Sequence, residues 1–212
     1  MKVGTDGVLL GAWAHGGQHI LDAGTGTGLI ALMMAQRYPL SQLTAIDIDE
    51  QAVRQARQNV ALSPFAARVE VLHESLQEHA ASGGLSGSYD AIVSNPPFFI
   101  DSLAAPDAQR NMARHALTLT YAELMQAASL LLSDDGELSV VVPFDYRQRM
   151  DDEATFAGLF PSRLCAVKTA DRKPPRRYLL AFKKHPCPCE HQQLTIGDAL
   201  YLQLTRPFYL DT

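Results

Sequence analysis

The sequence predicts an α/β domain built on a mostly parallel sheet, and three observations carry that reading. A strand candidate, His19 to Ala23, runs straight into a turn with glycine at every second position (Gly24, Gly26, Gly28), and an apolar helix candidate follows from Leu29; this is the context in which a glycine pattern has meaning. Asp47 closes the next strand candidate about 20 residues after the turn, a separation at which an acid can meet ribose hydroxyls. Polar residues then recur in one kind of place: Asp22, Asp47, Glu74 or Ser75, and Asn95 all fall at carboxyl ends of predicted strands, where parallel sheets hold their ligands.

The elements follow in order. Gly4 to Ala14 reads as a helix with Thr5 or Asp6 as its cap and Val8, Leu9 and Trp13 for burial, ended by Gly16-Gly17. Leu29 to Gln36 is nearly all apolar and reads as a buried helix. Thr44 to Ile48 is the second strand. Asp49 to Leu62 alternates Ala52, Val53, Ala56 and Val60 with Arg54, Arg57 and Gln58 at helical spacing, with Asp49 available as its cap. Arg68 to Leu72 is the third strand, and a polar Gly/Ser-rich loop leads to a fourth, Asp90 to Val93. Phe99 to Leu119 reads as a long loop beside Asn95, a length that points to a substrate lid. Thr120 and Glu123 form a capping box for a helix running to Leu132, stopped by Asp134-Asp135-Gly136. Glu137 to Val142 is the fifth strand. A helix (Asp145 to Ala157), two strands (Ser162 to Thr169 and Arg177 to Lys183) and a short helix within Gly197 to Leu210 complete the chain.

Composition narrows the class. The 212 residues are 47% hydrophobic and 19% charged, ordinary for one soluble domain able to bury its own core. No apolar run is long enough for a membrane helix and no signal peptide is visible, so a cytoplasmic location is expected. Cys165, Cys187 and Cys189 are too few and too clustered for a disulfide framework. His185-Pro-Cys-Pro-Cys-Glu-His191 lacks zinc-ligand spacing and reads as a surface insertion rather than a metal site. The net charge of −5 argues against general nucleic-acid affinity, yet Lys168 to Lys184 carries seven basic residues against one acid. A basic strip on an acidic body suits contact with RNA at one face.

The fourth strand ends abruptly in Asn95-Pro96-Pro97-Phe98. Two prolines fix φ and hold the residue before each of them extended, so the Asn95 side chain and nearby carbonyls become rigid acceptors beside an aromatic ring. Such a pair suits a planar substrate bearing an amine.

Together, Leu21-Asp-Ala-Gly-Thr-Gly-Thr-Gly28, Asp47 and Asn95-Pro-Pro-Phe98 resemble the class I S-adenosylmethionine-dependent methyltransferases over nearly the whole chain. The resemblance implies a Rossmann-like, seven-stranded, mostly parallel sheet with helices on both faces, one domain over 1–212, in which residues 1–15 form a helix closing the cofactor pocket over a 16–212 core. The N-P-P-aromatic motif implies methylation of a planar nitrogen: adenine N6, guanine N2 of ribosomal RNA or a protein glutamine amide. Met1 to Trp13, Gln109-Arg-x-x-Ala-Arg114, Tyr178-Leu-Leu-Ala-Phe182 and Phe208-Tyr-Leu210 further resemble the valine tRNA (adenine-N6)-methyltransferase family, which implies tRNA, at the anticodon loop, as the partner; a monomer without a metal is the separate expectation.

On that resemblance Asn95, Pro96, Pro97 and Phe98 are the catalytic residues. Lys2, Thr5, Asp6, Asp22, Gly24, Gly26, Gly28, Asp47, Ile48, Glu74, Ser75 and Asn95 would hold the cofactor, S-adenosylmethionine. Arg110, Arg114, Lys173, Arg176 and Arg177 would meet RNA phosphates. Two departures stand out: the resembled enzymes carry an aromatic and basic segment ahead of the position of Met1, and they often place Asp where this chain has Ser75. A nicotinamide oxidoreductase would share the turn and Asp47 but leave Asn95 to Phe98 unexplained; a nucleotide-binding module without catalysis is the remaining alternative class.

Overall fold

A computed structural model describes residues 4–97 and 119–209. Eight strands form one sheet: β1 (His19–Ala23), β2 (Gln42–Asp47), β3 (Val69–His73), β4 (Tyr89–Ser94), β5 (Leu132–Pro143), β6 (Phe160–Lys168), β7 (Arg177–Lys183) and β8 (Glu190–Thr195). Their order is β3-β2-β1-β4-β5-β7-β6-β8. β7 runs antiparallel to both β5 and β6, while the remaining pairings are parallel. The order reverses between β1 and β4, and such a switch point opens the crevice in which doubly wound folds bind ligands.

Helices cover both faces. One side carries α1 (Thr5–Trp13), α2 (Leu29–Arg37), α3 (Glu50–Ala61) and α7 (Ala199–Thr205); the other carries α4 (Leu76–Ala81), α5 (Tyr121–Leu131) and α6 (Arg147–Phe156). The period-two alternation of strands sorts the core into two layers. Ile20, Leu43, Ala91, Val93 and Val141 face the first group, and Leu21, Ile46, Ile92, Leu138 and Val140 face the second. With both faces covered, the inner strands read as continuous apolar runs, as buried parallel strands do.

Several expectations are adjusted by packing. The sheet has eight strands rather than seven, because Glu190–Thr195, which starts in the last two residues of the expected surface insertion, pairs along the outer side of β6 and covers its open backbone groups. α4 replaces part of the expected loop; Ser75 accepts from Glu78 N–H and the Glu78 carboxylate accepts from Ser75 N–H, a complete capping box. α1 takes Gly4 as its N-cap with no side-chain bond, since the Asp6 carboxylate is drawn to Arg177 instead (2.8 Å). β5 begins at Leu132, so Asp134-Asp135-Gly136 belongs to an irregular strand rather than a helix stop. A Cβ at Gly136 would lie 2.8 Å from the Tyr89 carbonyl oxygen, which only glycine permits. Thr120 and Glu123 form the expected capping box, and Asp49 caps α3.

Candidate active site

The first strand supplies the base of the site. Asp22 lies on the α2 face of β1, fully buried, and its Oδ2 accepts from Thr25 Oγ1 (2.6 Å) and the Ala31 N–H (3.0 Å). Its Oδ1 has no partner among the described residues. Burial pushes this carboxyl up to about 6, against the hydrogen bonds from Thr25 and Ala31, and the nearby negative charge of Asp47 adds to the rise. A carboxylate held this way is short of positive charge.

The turn that follows uses left-handed backbone at Gly24, Gly26 and Gly28 (φ 74°, 58° and 81°), which residues with a Cβ adopt only at a cost. A Cβ on Gly24 would meet nothing within 4 Å, so the turn's surface is open there, whereas one on Gly28 would stand 3.4 Å from Ala56 of α3. Gly28 therefore serves helix packing and Gly24 leaves room for a ligand. Asp47 ties the turn to β2: its Oδ2 accepts from Gly26 N–H (2.8 Å) and its Oδ1 from Asp49 N–H (2.9 Å). Each oxygen keeps an unused lone pair. Ile48 beside it is 40% exposed, an apolar side chain at the mouth.

At the end of β3, Glu74 Oε1 lies 2.6 Å from Nδ1 of buried His79, whose Nε2 lies 2.8 Å from the Tyr89 hydroxyl. His79 is not among the residues the sequence points to; the Ser75-x-x-Glu78 box is the signal that would put it on a helix facing the sheet. Ser75 is engaged in that box, donating its hydroxyl to Glu78 Oε2 (2.8 Å).

β4 brings the last part. Asp22 is opposite Val93, so two residues further on Asn95 stands alongside the glycine turn, and Ser94 Oγ fastens the two strands by donating to the Ala23 carbonyl (2.8 Å). Pro96 is buried and Pro97 exposed. The Asn95 Oδ1 is buried and, among the described residues, has no donor. Asp22, the turn, Asp47, Glu74 and Asn95 thus all lie at the carboxyl ends of β1 to β4, around the switch point. Lys2, Phe98, Arg110 and Arg114 lie outside the described residues, as does nearly all of the expected lid.

Other expected site residues fall elsewhere. Thr5 and Asp6 line a neighbouring cavity at the ends of β5 and β6, although Gly7 of the same helix packs on Leu29 and Ile30, just after the turn. Arg177, expected at RNA, pairs with Asp6. The basic strip is divided by the sheet: Lys173 and Arg176 sit exposed between β6 and β7 at the site's end, while Lys183 is opposite Glu137 at the far end.

The model of the family described as the methyltransferase small domain matches residues 4–157. A solved structure described as a predicted O-methyltransferase from Agrobacterium tumefaciens superposes with a TM-score of 0.75 at 17% identity, over 95% of this chain and 96% of that one. The family model and the fold together define a class I methyltransferase. Two relatives, from Bacteroides fragilis (45% identical, 99% of this chain and 91% of the relative) and Parabacteroides distasonis (50%, 88% and 78%), are both named tRNA1(Val) (adenine(37)-N6)-methyltransferase. The chain belongs to the family of these enzymes.

Proposed function

We propose that this enzyme transfers the methyl group of S-adenosylmethionine to the exocyclic N6 of an adenine in tRNA, at position 37 beside the anticodon of a valine tRNA. The observation that carries the reading is the Asn95 oxygen, buried beside the glycine turn with no donor among the described residues. A buried acceptor left without a donor costs about 1–3 kcal/mol, and the amino group of a base brings N–H donors to it. The names of the relatives support adenine in tRNA as the acceptor over guanine or glutamine.

The residues present fit the cofactor. Bound there, S-adenosylmethionine supplies an electrophilic methyl group on a positively charged sulfur. Asp22, with an unpartnered buried oxygen and a raised pKa, receives the ligand's ammonium. Asp47 accepts ribose hydroxyls with the lone pairs its backbone bonds leave over, Gly24 leaves its surface open, and Ile48 covers the purine. Glu74, paired with His79 at the end of β3 (2.6 Å), is the further candidate for the ligand's nucleoside end. Ser75 takes part as a neutral group, since its hydroxyl is committed to Glu78.

Asn95 and the Pro96 carbonyl accept from the substrate amine, which favours a pyramidal nitrogen with its lone pair directed at the methyl group. No strong base is required before transfer. Alignment supplies much of the acceleration, up to ~7–11 kcal/mol in intramolecular models. Phe98, which lies outside the described residues, is the motif's candidate for stacking on the extruded base.

The test is transfer of labelled methyl to total tRNA from cells lacking the protein, followed by nucleoside analysis. N6-methyladenosine in a valine tRNA is expected. Label in guanine N2 or in protein glutamine would overturn the acceptor.

A further inference from the structure

A second cavity, of about 480 Å³, opens at the carboxyl ends of β5 and β6 and between them and the start of α1. Its size falls in the range of small-ligand sites. Among the described residues, none of the catalytic ones lines it, and its walls combine three kinds of group. Pro143, Pro174, Pro175 and Ile196 are flat or apolar. Phe144 is 45% exposed, one side of its ring stacked on Tyr178 (centroids 5.8 Å, interplanar 25°), and it also lines the cavity. Tyr178 is itself backed by the Arg147 guanidinium at 5.0 Å, so Phe144 is a fixed platform rather than a loose side chain.

Polar groups complete the rim. The Asp145 carboxylate is an acceptor, the Asp6 carboxylate is held by Arg177 (2.8 Å) in the same wall, and the exposed Arg176 guanidinium, with Lys173 three residues before it on the same hairpin, is cationic. A fixed aromatic face, an acceptor and a cation in one cavity wall match the ring, the N–H groups and the phosphate of a nucleotide. The two carboxylates disfavour a bare anion.

Place decides which nucleotide. Ser94 is opposite Val140 in the β4–β5 pair, so Pro143 and Phe144 lie only a few residues beyond the point that neighbours Asn95. Given the RNA acceptor argued above, we propose that this cavity binds the base of a nucleotide adjoining the target adenine, stacked on Phe144, with its phosphate at Arg176. It is a recognition site of its own, separate from the pocket of the methylated base.

Fluorescence anisotropy with a synthetic valine anticodon stem–loop tests it, using the intact stem–loop and versions with the base removed on either side of the target. Removing one flanking base is expected to weaken binding to the unaltered protein about tenfold. In Phe144→Ala the same lesion should add nothing, Phe144→Trp should restore its effect, and Arg176→Glu should weaken all RNAs alike. Equal penalties from the lesions in unaltered and Phe144→Ala proteins, both with unchanged thermal midpoints and cofactor affinity, would overturn the proposal. If the unaltered protein methylates the stem–loop while Phe144→Ala binds it equally well, the cavity assignment alone falls. If the unaltered protein neither binds nor methylates the stem–loop, the RNA reading falls with it.

Discussion

Asn95 and Asp22 each carry a buried oxygen with no partner among the described residues, and the proposed reaction gives them different ligands. On the proposed reading Asn95→Ala removes an acceptor for the substrate amine, so kcat should fall about 100- to 1000-fold while calorimetric affinity for the cofactor product falls far less; parallel loss of both would mean Asn95 serves the cofactor or the fold instead. Asp22 separates stability from function. Its folded pKa of about 6 stands above the ordinary 3.8, so its contribution to stability is present below about pH 3.8 and is lost as pH rises through about 6. Asp22→Asn should therefore stabilise the ligand-free protein at pH 7 by about 1–3 kcal/mol in urea denaturation, and weaken the cofactor. A less stable Asn variant at pH 7 would contradict the burial argument. Asp47→Ala has a double consequence: it removes the acceptor proposed for ribose and also frees Gly26 N–H, so the turn itself should loosen. Asp22, Asp47 and Asn95 were legible in the sequence because strand ends can be read from strand, turn and helix order. That Ser75 spends its hydroxyl on Glu78 and that Asp6 spends its carboxylate on Arg177 was not, because each outcome depends on which partner folding brings nearest.

Among the elements, the join between α1 and the sheet has the largest electrostatic content. Glu137, buried at the foot of β5, accepts from Arg163 (2.6 Å) and Ser162 (2.9 Å) and lies 3.3 Å from His15. The Arg163 guanidinium covers the Trp13 ring at 3.9 Å. Burial alone would raise the Glu137 carboxyl, but the bonds from His15 and Arg163 and the guanidinium charge outweigh it and hold the group at about 2. Its stabilisation is therefore present above about pH 4.5 and lost as pH falls toward 2. Glu137→Gln leaves a buried guanidinium without its counter-charge and should cost about 3–5 kcal/mol; an unchanged denaturation midpoint at pH 7 would show that the pair contributes nothing net. Replacing the α5 cap, Thr120→Ala, should cost a smaller ~1 kcal/mol. The sequence showed that cap because a capping box is local, while the Glu137–Arg163 pair joins strands separated by a helix and could not be seen before the register was known.

At the scale of the whole molecule, a chain of net charge −5 must bind RNA through a local field. Because the sheet places Lys173 and Arg176 at the site's end and Lys183 at the other, only part of the basic strip can face the same substrate. Lys173→Ala with Arg176→Ala should lower the slope of log affinity against log salt by about 1–2, near 0.7 for each single-strand phosphate that is no longer neutralised. The same change at Lys183 and Lys184 should leave the slope alone, and an equal effect from both pairs would mean the far end also touches RNA. No helix among the described residues is long and apolar enough to cross a membrane. The sequence by itself determined the alternation of strands and helices, the glycine turn and the polar ends of the strands, because these rest on local periodicity and backbone chemistry. Tertiary structure alone decided the eighth strand, the division of the basic strip, the Asp6–Arg177 pairing and the cavity under Phe144. Each of these depends on residues far apart in the chain meeting in space, and the order and direction in which strands meet is set by how the two core layers bury together rather than by any one segment.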